Sequence, residues 1–194
     1  HPGLFAAITG AMALSGASVV DAKIMTLTDG MALDTFWVQN TEGAAFASRE
    51  RLKKLRTRIE KSIEGRLRPA QELIRAQKDM LPSRTRVFRV PPRVLIDNKA
   101  SNTHTLIEIN GRDRPGLLHD VTAAITETGL QISTARISTY GERVVDVFYV
   151  KDVFGLKVER DDKIEAIRGH LLEAIAETKP PPSKNKAGGA DAAF

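Results

Sequence analysis

"HPGLFAAITGAMALSGASVVDAKIMTL", residues 1–27, lies over "RPGLLHDVTAAITETGLQISTARISTY", residues 114–140. After a one-residue difference at the next turn, "DTFWVQN" (34–40) lies over "DVFYVKD" (146–152). Twelve of the forty residues from His1 to Asn40 are identical to their partners. A pattern that returns over this length marks a duplicated structural unit, so the fold follows from what one unit makes.

Each copy places Pro-Gly ahead of an apolar stripe with helical spacing. The stripe is Leu117, Leu118, Val121, Ala124 and Ile125 in the second copy, and Leu4, Phe5, Ile8, Ala11 and Met12 in the first. Gly129 and Gly16 stand where a helix end favours a left-handed residue. Two runs rich in β-branched and aromatic residues follow, 131–140 and 143–151 in the second copy, joined through "YGER" as "TDGM" joins the first pair. A second helix is predicted over 161–178, on Ile164, Ile167, Leu171 and Ile175. Its counterpart starts near Ser48, on Leu52, Leu55, Ile59 and Ile63. Pro69 is expected to end that helix and begin another, because proline lacks the amide donor and clashes with the preceding turn.

Ahead of the second copy, "THTLIEIN" alternates like a strand, and the first copy has no equivalent before His1. The unit is therefore β-α-β-β-α, with "TRVFRV" (85–90) or "RVLID" (93–97) as a closing strand for copy one. The expected fold class is α+β: two ferredoxin-like βαββαβ sandwiches, the first lacking its first strand. The expected division is a first domain over 1–99 with a basic helical insertion at 48–79, and a second over 100–179. "PPPSKNKAGGADAAF" (180–194) reads as a disordered tail. Because the chain opens in the middle of a motif it later repeats in full, it is expected to be a fragment.

The 194 residues carry a net charge of +5, unevenly spread. Residues 49–93 hold 15 Lys/Arg and 5 Asp/Glu, so the basic character belongs to one segment and the remainder is acidic. That pattern argues against a general nucleic-acid surface. The adjacent Phe148 and Tyr149 point to opposite faces of a strand, which is not the stacked-aromatic platform of an RNA-binding sheet. With 0 cysteines there is no disulfide, thiolate metal site or thiol nucleophile. No apolar run reaches the ~18 residues of a membrane span. No membrane or nucleic-acid partner is expected.

"NGRDRPGLLHD" (110–120) joins the first strand of the second copy to its helix. Asp113 is placed to cap the helix, Pro115 suits its first positions, and Gly116 permits close approach of a ligand or another backbone. The helix start, with its unpaired amides and partial positive charge, can hold a carboxylate or phosphate. A plain helix cap explains the same residues.

This strand–turn–helix motif and the βαββα order resemble the ACT domain, a small-molecule regulatory module. "ARISTYGERVVDVFYVKDVFGLKV" and "RVPPRVLIDNKASNTHTLIEINGRDRPGLLHDVT" are similar to the carboxy-terminal region of the bifunctional protein-PII uridylyltransferase/uridylyl-removing enzyme family. The resemblance covers nearly all the chain except the tail. It implies a cytoplasmic, glutamine-sensing region that sits behind nucleotidyltransferase and phosphohydrolase domains and contacts them. It also implies control of nitrogen assimilation through the PII protein, with Mg2+ and UTP belonging to the catalytic part and no cofactor to this region. The family pattern puts the ligand at the first strand–helix loop, often between two ACT units: here Asn110, Asp113, Arg114, Gly116, Leu117 and Leu118, with Gln131 and Ile132 on the other side. In copy one the matching positions are His1, Pro2, Gly3, Leu4, Phe5 and Val19. The alternative is a tandem ACT module of another amino-acid-controlled enzyme, or a free-standing regulator.

Other signals are weaker. His119–Asp120 reads as an "HD" pair, but copy one has Ala6 and Ala7 there and the other histidines show no ligand spacing. No phosphate loop or nucleotidyltransferase signature is present, so catalytic residues are not expected. Asp34 and Asp146 recur inside an apolar strand. Such a residue is either open to solvent, or paired with a basic side chain, or placed at the interface between units.

Overall fold

The computed structural model describes residues 3–27, 30–79 and 90–176. The first repeat forms α1 (Leu4–Leu14), β1 (Ala17–Thr26) and β2 (Ala32–Asn40). Two helices follow, α2 (Arg49–Ile63) and α3 (Pro69–Asp79), then a short strand β3 (Arg93–Asp97). The second repeat forms β4 (Thr105–Arg112), α4 (Leu117–Glu127), β5 (Leu130–Tyr140), β6 (Arg143–Asp152) and α5 (Asp161–Ile175). His1, Pro2, most of "TRVFRV" and the 180–194 tail lie outside the described residues.

The strands make one antiparallel sheet in the order β2-β1-β5-β6-β4-β3. Alternation in β6 shows how it is covered: Val144, Asp146, Phe148 and Val150 are buried while their neighbours are not. The main core joins Val144, Phe148 and Val150 to Leu117, Val121 and Ile125 of α4 and to Ile167, Leu171 and Ile175 of α5. The fold is α+β, with two ferredoxin-like units fused edge to edge. No described helix is long and apolar enough to cross a membrane.

The fusion follows the repeat. Across the β1–β5 junction Lys23 lies opposite Arg136, its own counterpart. On the helical layer Thr9 Oγ1 lies 3.4 Å from Thr122 Oγ1, its counterpart 113 positions later. His119 Nδ1 donates to the carbonyl of Ala6, again 113 positions away, at 2.8 Å. A local two-fold axis therefore runs between the units, and the buried "H" of the "HD" pair is an element of their packing.

Three expectations change. β3, "RVLID", does not close the first unit; it pairs with β4 and completes the second unit's sheet order β5-β6-β4-β3. Pro69 begins α3 but does not end α2. Gly65 ends it, at φ 71, while the amides of Gly65 and Arg66 return to the carbonyls of Ser62 and Lys61. Asp113 is not the cap of α4, because Gly116 occupies that position with φ 83. By contrast, Gly16 and Gly129 close α1 and α4 at φ 66 and 76, as expected.

The helices α2 and α3 lie on α1. Arg58 donates to the carbonyl of Leu14 at 2.6 Å, near the negative end of α1. Ser62 donates to that of Ala7 at 2.9 Å. Gly10 marks the closest approach: a Cβ there would fall 2.4 Å from Pro69 Cβ and 2.8 Å from His119 Nδ1. Gly10→Ala is expected to lower stability by about 1–3 kcal/mol, despite alanine's better helix propensity, because α1 must move from both neighbours. Urea unfolding checks this; an unchanged midpoint would mean that the three-helix contact yields without cost.

Candidate functional site

In "RPGL" the carbonyl of Arg114 accepts from the amide of Leu117 at 3.0 Å. Gly116 follows Pro115 with φ 83 and ψ -1. This is a type II turn, which uses proline second and a left-handed glycine third. Pro115 therefore belongs to the turn and not to the helix. Gly3, with φ 79 and ψ 0, takes the same left-handed conformation as Gly116 before α1. The glycine also has a packing reason: a Cβ on Gly116 would lie 3.3 Å from the Leu73 side chain of α3.

The turn borders a cavity of about 450 Å³ between the two repeats. One wall is Asp113–His119 of the second unit. The other is Gly16–Val19 and Gln39–Thr41 of the first, with Ile137, Thr139, Val144 and Asp146 from the central strands. Its volume lies within the ~300–1,000 Å³ of small-molecule sites. A second cavity of about 230 Å³ is lined by Gly3, Leu4 and Phe5 of the first unit, with Asp34, Gln131 and Ile132 among its other walls. Under the repeat, Gly3 corresponds to Gly116, Ile132 to Val19 and Asp34 to Asp146. The local two-fold axis thus generates two related cavities.

That arrangement sorts the predicted site residues differently from the sequence reading. Asp113, Arg114, Gly116, Leu117 and Leu118 come together, but Val19 is their facing residue. Gln131 and Ile132 instead face Gly3, Leu4 and Phe5. Each unit gives its turn to one cavity and the start of its hairpin to the other. Asn110 is outside both linings. It is buried in β4, where it donates to Glu108 at 2.7 Å and accepts from Arg143 at 3.1 Å.

The electrostatics of the larger cavity are carried by two carboxylates. Burial raises Asp113 above the usual carboxylate range, partly opposed by an amide bond at Arg114 and by that residue's charge. Asp146 is 2% exposed. Burial pushes it up to about 7; the amide of Ser138 opposes the rise and the charge of Asp113 adds to it. Arg114 also bonds Asp120 at 2.6 Å and the carbonyl of Ala174 at 2.9 Å, while its buried Nε has no partner among the described residues. In the twin cavity burial also raises Asp34, whose buried Oδ1 has no hydrogen-bond partner among the described residues.

Among the described residues, Asp34 and Asp146 are therefore neither paired with a base nor freely solvated. The signal was present in "RVVDVFYV": Asp146 shares the two-residue period of Val144, Phe148 and Val150, the buried face. Nothing comparable in the sequence marks Thr139 or Gln39, which reach the cavity only through tertiary packing.

Residues 93–178 match the model of a family described as ACR9-like, ACT-like domain. Over 178 residues, 91% of this chain and 19% of the relative, the sequence is 58% identical to a bifunctional uridylyltransferase/uridylyl-removing enzyme of Azospirillum brasilense. The enzyme of the same description in Rhodospirillum rubrum is 55% identical over 93% of this chain and 19% of its own length. That of Gluconobacter oxydans is 53% identical over 90% and 18%. The chain spans about a fifth of the length of these relatives.

Proposed function

Over 91% of its length the chain belongs to the family of the bifunctional uridylyltransferase/uridylyl-removing enzymes, and from that premise we propose that it is an amino-acid-sensing regulatory region, with glutamine as the amino acid. The observation that carries the reading is the cavity between the repeats, which combines two carboxylates with the start of a helix. A free amino acid needs both kinds of group. Its ammonium is matched by Asp113 and Asp146. Its carboxylate is matched by amides of the first turn of α4, of which Leu117's is already used by the turn. The neutral Gln39, Asn40 and Thr139 offer partners for a side-chain amide.

A cavity made by both units also suits signalling, since a ligand that fills it acts on their relative position. In the longer enzyme this bears on the domains that add uridylyl groups to the PII protein and remove them, with glutamine favouring removal. Mg2+ and UTP are assigned to those catalytic domains, and the exposed basic face of α2 is a surface for contact with them. The proposed setting is the cytoplasm.

Titration calorimetry with glutamine tests the reading. Binding is expected in the chain as it stands, with a glutamine-dependent rise in melting temperature. Gly116→Val is expected to weaken binding at least about tenfold, because it strains a left-handed position and drives a side chain against Leu73. If neither glutamine nor any other common amino acid gives heat or a thermal shift, the reading is wrong.

A further inference from the structure

Asp146 is a buried group that the fold alone does not explain. Its carboxylate accepts one hydrogen bond among the described residues, from the amide of Ser138 at 3.2 Å. The β5–β6 ladder leaves Ile137 and Ser138 unpaired with β6, and the Asp146 side chain takes that amide instead. One neutral donor is far short of the several amide bonds or the cation that hold a buried carboxylate charged. The other ionisable residues lining the cavity are Asp113 and Arg114 from the turn and His119 from α4. Arg114 bonds Asp120 and the carbonyl of Ala174, its charge bears on Asp113 and not on Asp146, and its buried Nε has no partner among the described residues. His119 is held by the carbonyl of Ala6. The lining residues of α1, β1, β2 and β5 are not ionisable. A 2% exposed carboxylate, beside a second carboxylate and facing an open volume, is a group waiting for a positive charge. The duplication also placed a carboxylate, Asp34, in the twin cavity, half-buried and with an Oδ1 that has no partner among the described residues.

We propose that Asp146, with Asp113 beside it, is the seat of the ligand's ammonium group, and that through it the cavity separates α-amino acids from their deaminated analogues. This rests on the amino-acid-sensing reading above and names the residue that enforces it. Burial raises Asp146 to about 7. Near neutrality much of the unligated protein therefore carries a proton there. The ammonium group favours the ionised carboxylate, so binding expels that proton. Affinity rises with pH through about 7, by roughly tenfold between about pH 6 and about pH 8, and then levels off.

Calorimetric titration of the 194-residue chain with glutamine at about pH 6 and about pH 8 reads this directly. A second titrant, 4-carbamoylbutanoate, keeps the carboxylate and the amide but has hydrogen in place of the ammonium. The parent is expected to show the tenfold rise, and to bind the analogue more than about thirtyfold more weakly than glutamine. Asp146→Asn is expected to weaken glutamine to a similar extent and to abolish the pH dependence, with far-ultraviolet circular dichroism verifying its fold. The pH and analogue arms use the parent alone. Equal affinity for the analogue, or an Asp146→Asn protein with unchanged affinity and pH slope, overturns the seat and leaves the sensing reading standing. A parent that binds no amino acid at any pH overturns both.

Discussion

At about pH 8 and without ligand, Asp146→Asn is expected to be more stable to denaturant than the parent, its unfolding free energy higher by an amount on the order of 4 kcal/mol. The carboxyl has an ordinary value of 3.8 and a folded value of about 7. The folded chain thus holds the proton more tightly than the unfolded chain does. Asp146 favours folding while it is protonated in both states, below about pH 4. That contribution drains away as the pH rises through about 7, because the folded state must then bury a charge. Asparagine keeps an acceptor for the Ser138 amide and has no charge to bury. Asp113 and Asp34 are raised too and act in the same direction. The lowered carboxyls of Glu50 and Asp162 act oppositely but sit fully exposed. Urea unfolding of both proteins across about pH 4 to pH 8 is the measurement. The curves converge at the acid end and separate toward the alkaline end; two parallel curves would refute the argument. The expected result is a protein made more stable and less able to bind.

Phe148→Ala is expected to cost about 3–5 kcal/mol and to lower the melting temperature by roughly 10 °C for a chain of this size. Phe148 is 0% exposed at the centre of the sheet, between Ile107 of β4 and Ala135 of β5, which are 0% and 1% exposed. Its ring fills the layer between the sheet and the helices, so truncation leaves a void that rigid neighbours close only in part. The neighbouring Tyr149 provides the control. It lies on the opposite face, is partly exposed, and makes an edge contact with His104. Tyr149→Ala is expected to cost less than half as much. Equal losses would mean that the two faces of β6 are equally covered.

The repeat made most of the architecture legible, because helical and strand periods survive within each copy. Its limits are equally physical. Pro115-Gly116 is compatible with the start of a helix and with a type II turn; the choice depends on where the Leu117 amide bonds, which is a matter of geometry. A duplicated sequence also shows what each copy builds but not which copy's strand meets which turn. The β1–β5 pairing decides that, and it moved Gln131 and Ile132 away from Asp113 and brought Val19 to it. β3 was visible as a strand, yet its partner was not, since five residues of β-branched and apolar pattern carry no address. Asp146 was visible as an oddity. Its burial followed from the alternation around it, and its lack of a counter-charge required the folded neighbourhood.

The pairing of Lys23 with Arg136 has one more consequence. Two identical subunits meeting about such an axis would form two identical sites, available only at concentrations where the subunits associate. Tethering both halves in one polypeptide removes that dilution limit, because the encounter becomes intramolecular. It also releases the sites from identity. The two cavities already differ, at about 450 and 230 Å³, and each can acquire substitutions that the other does not share. A symmetric dimer evolves its two sites together; this chain is free to keep one and retire or retune the other.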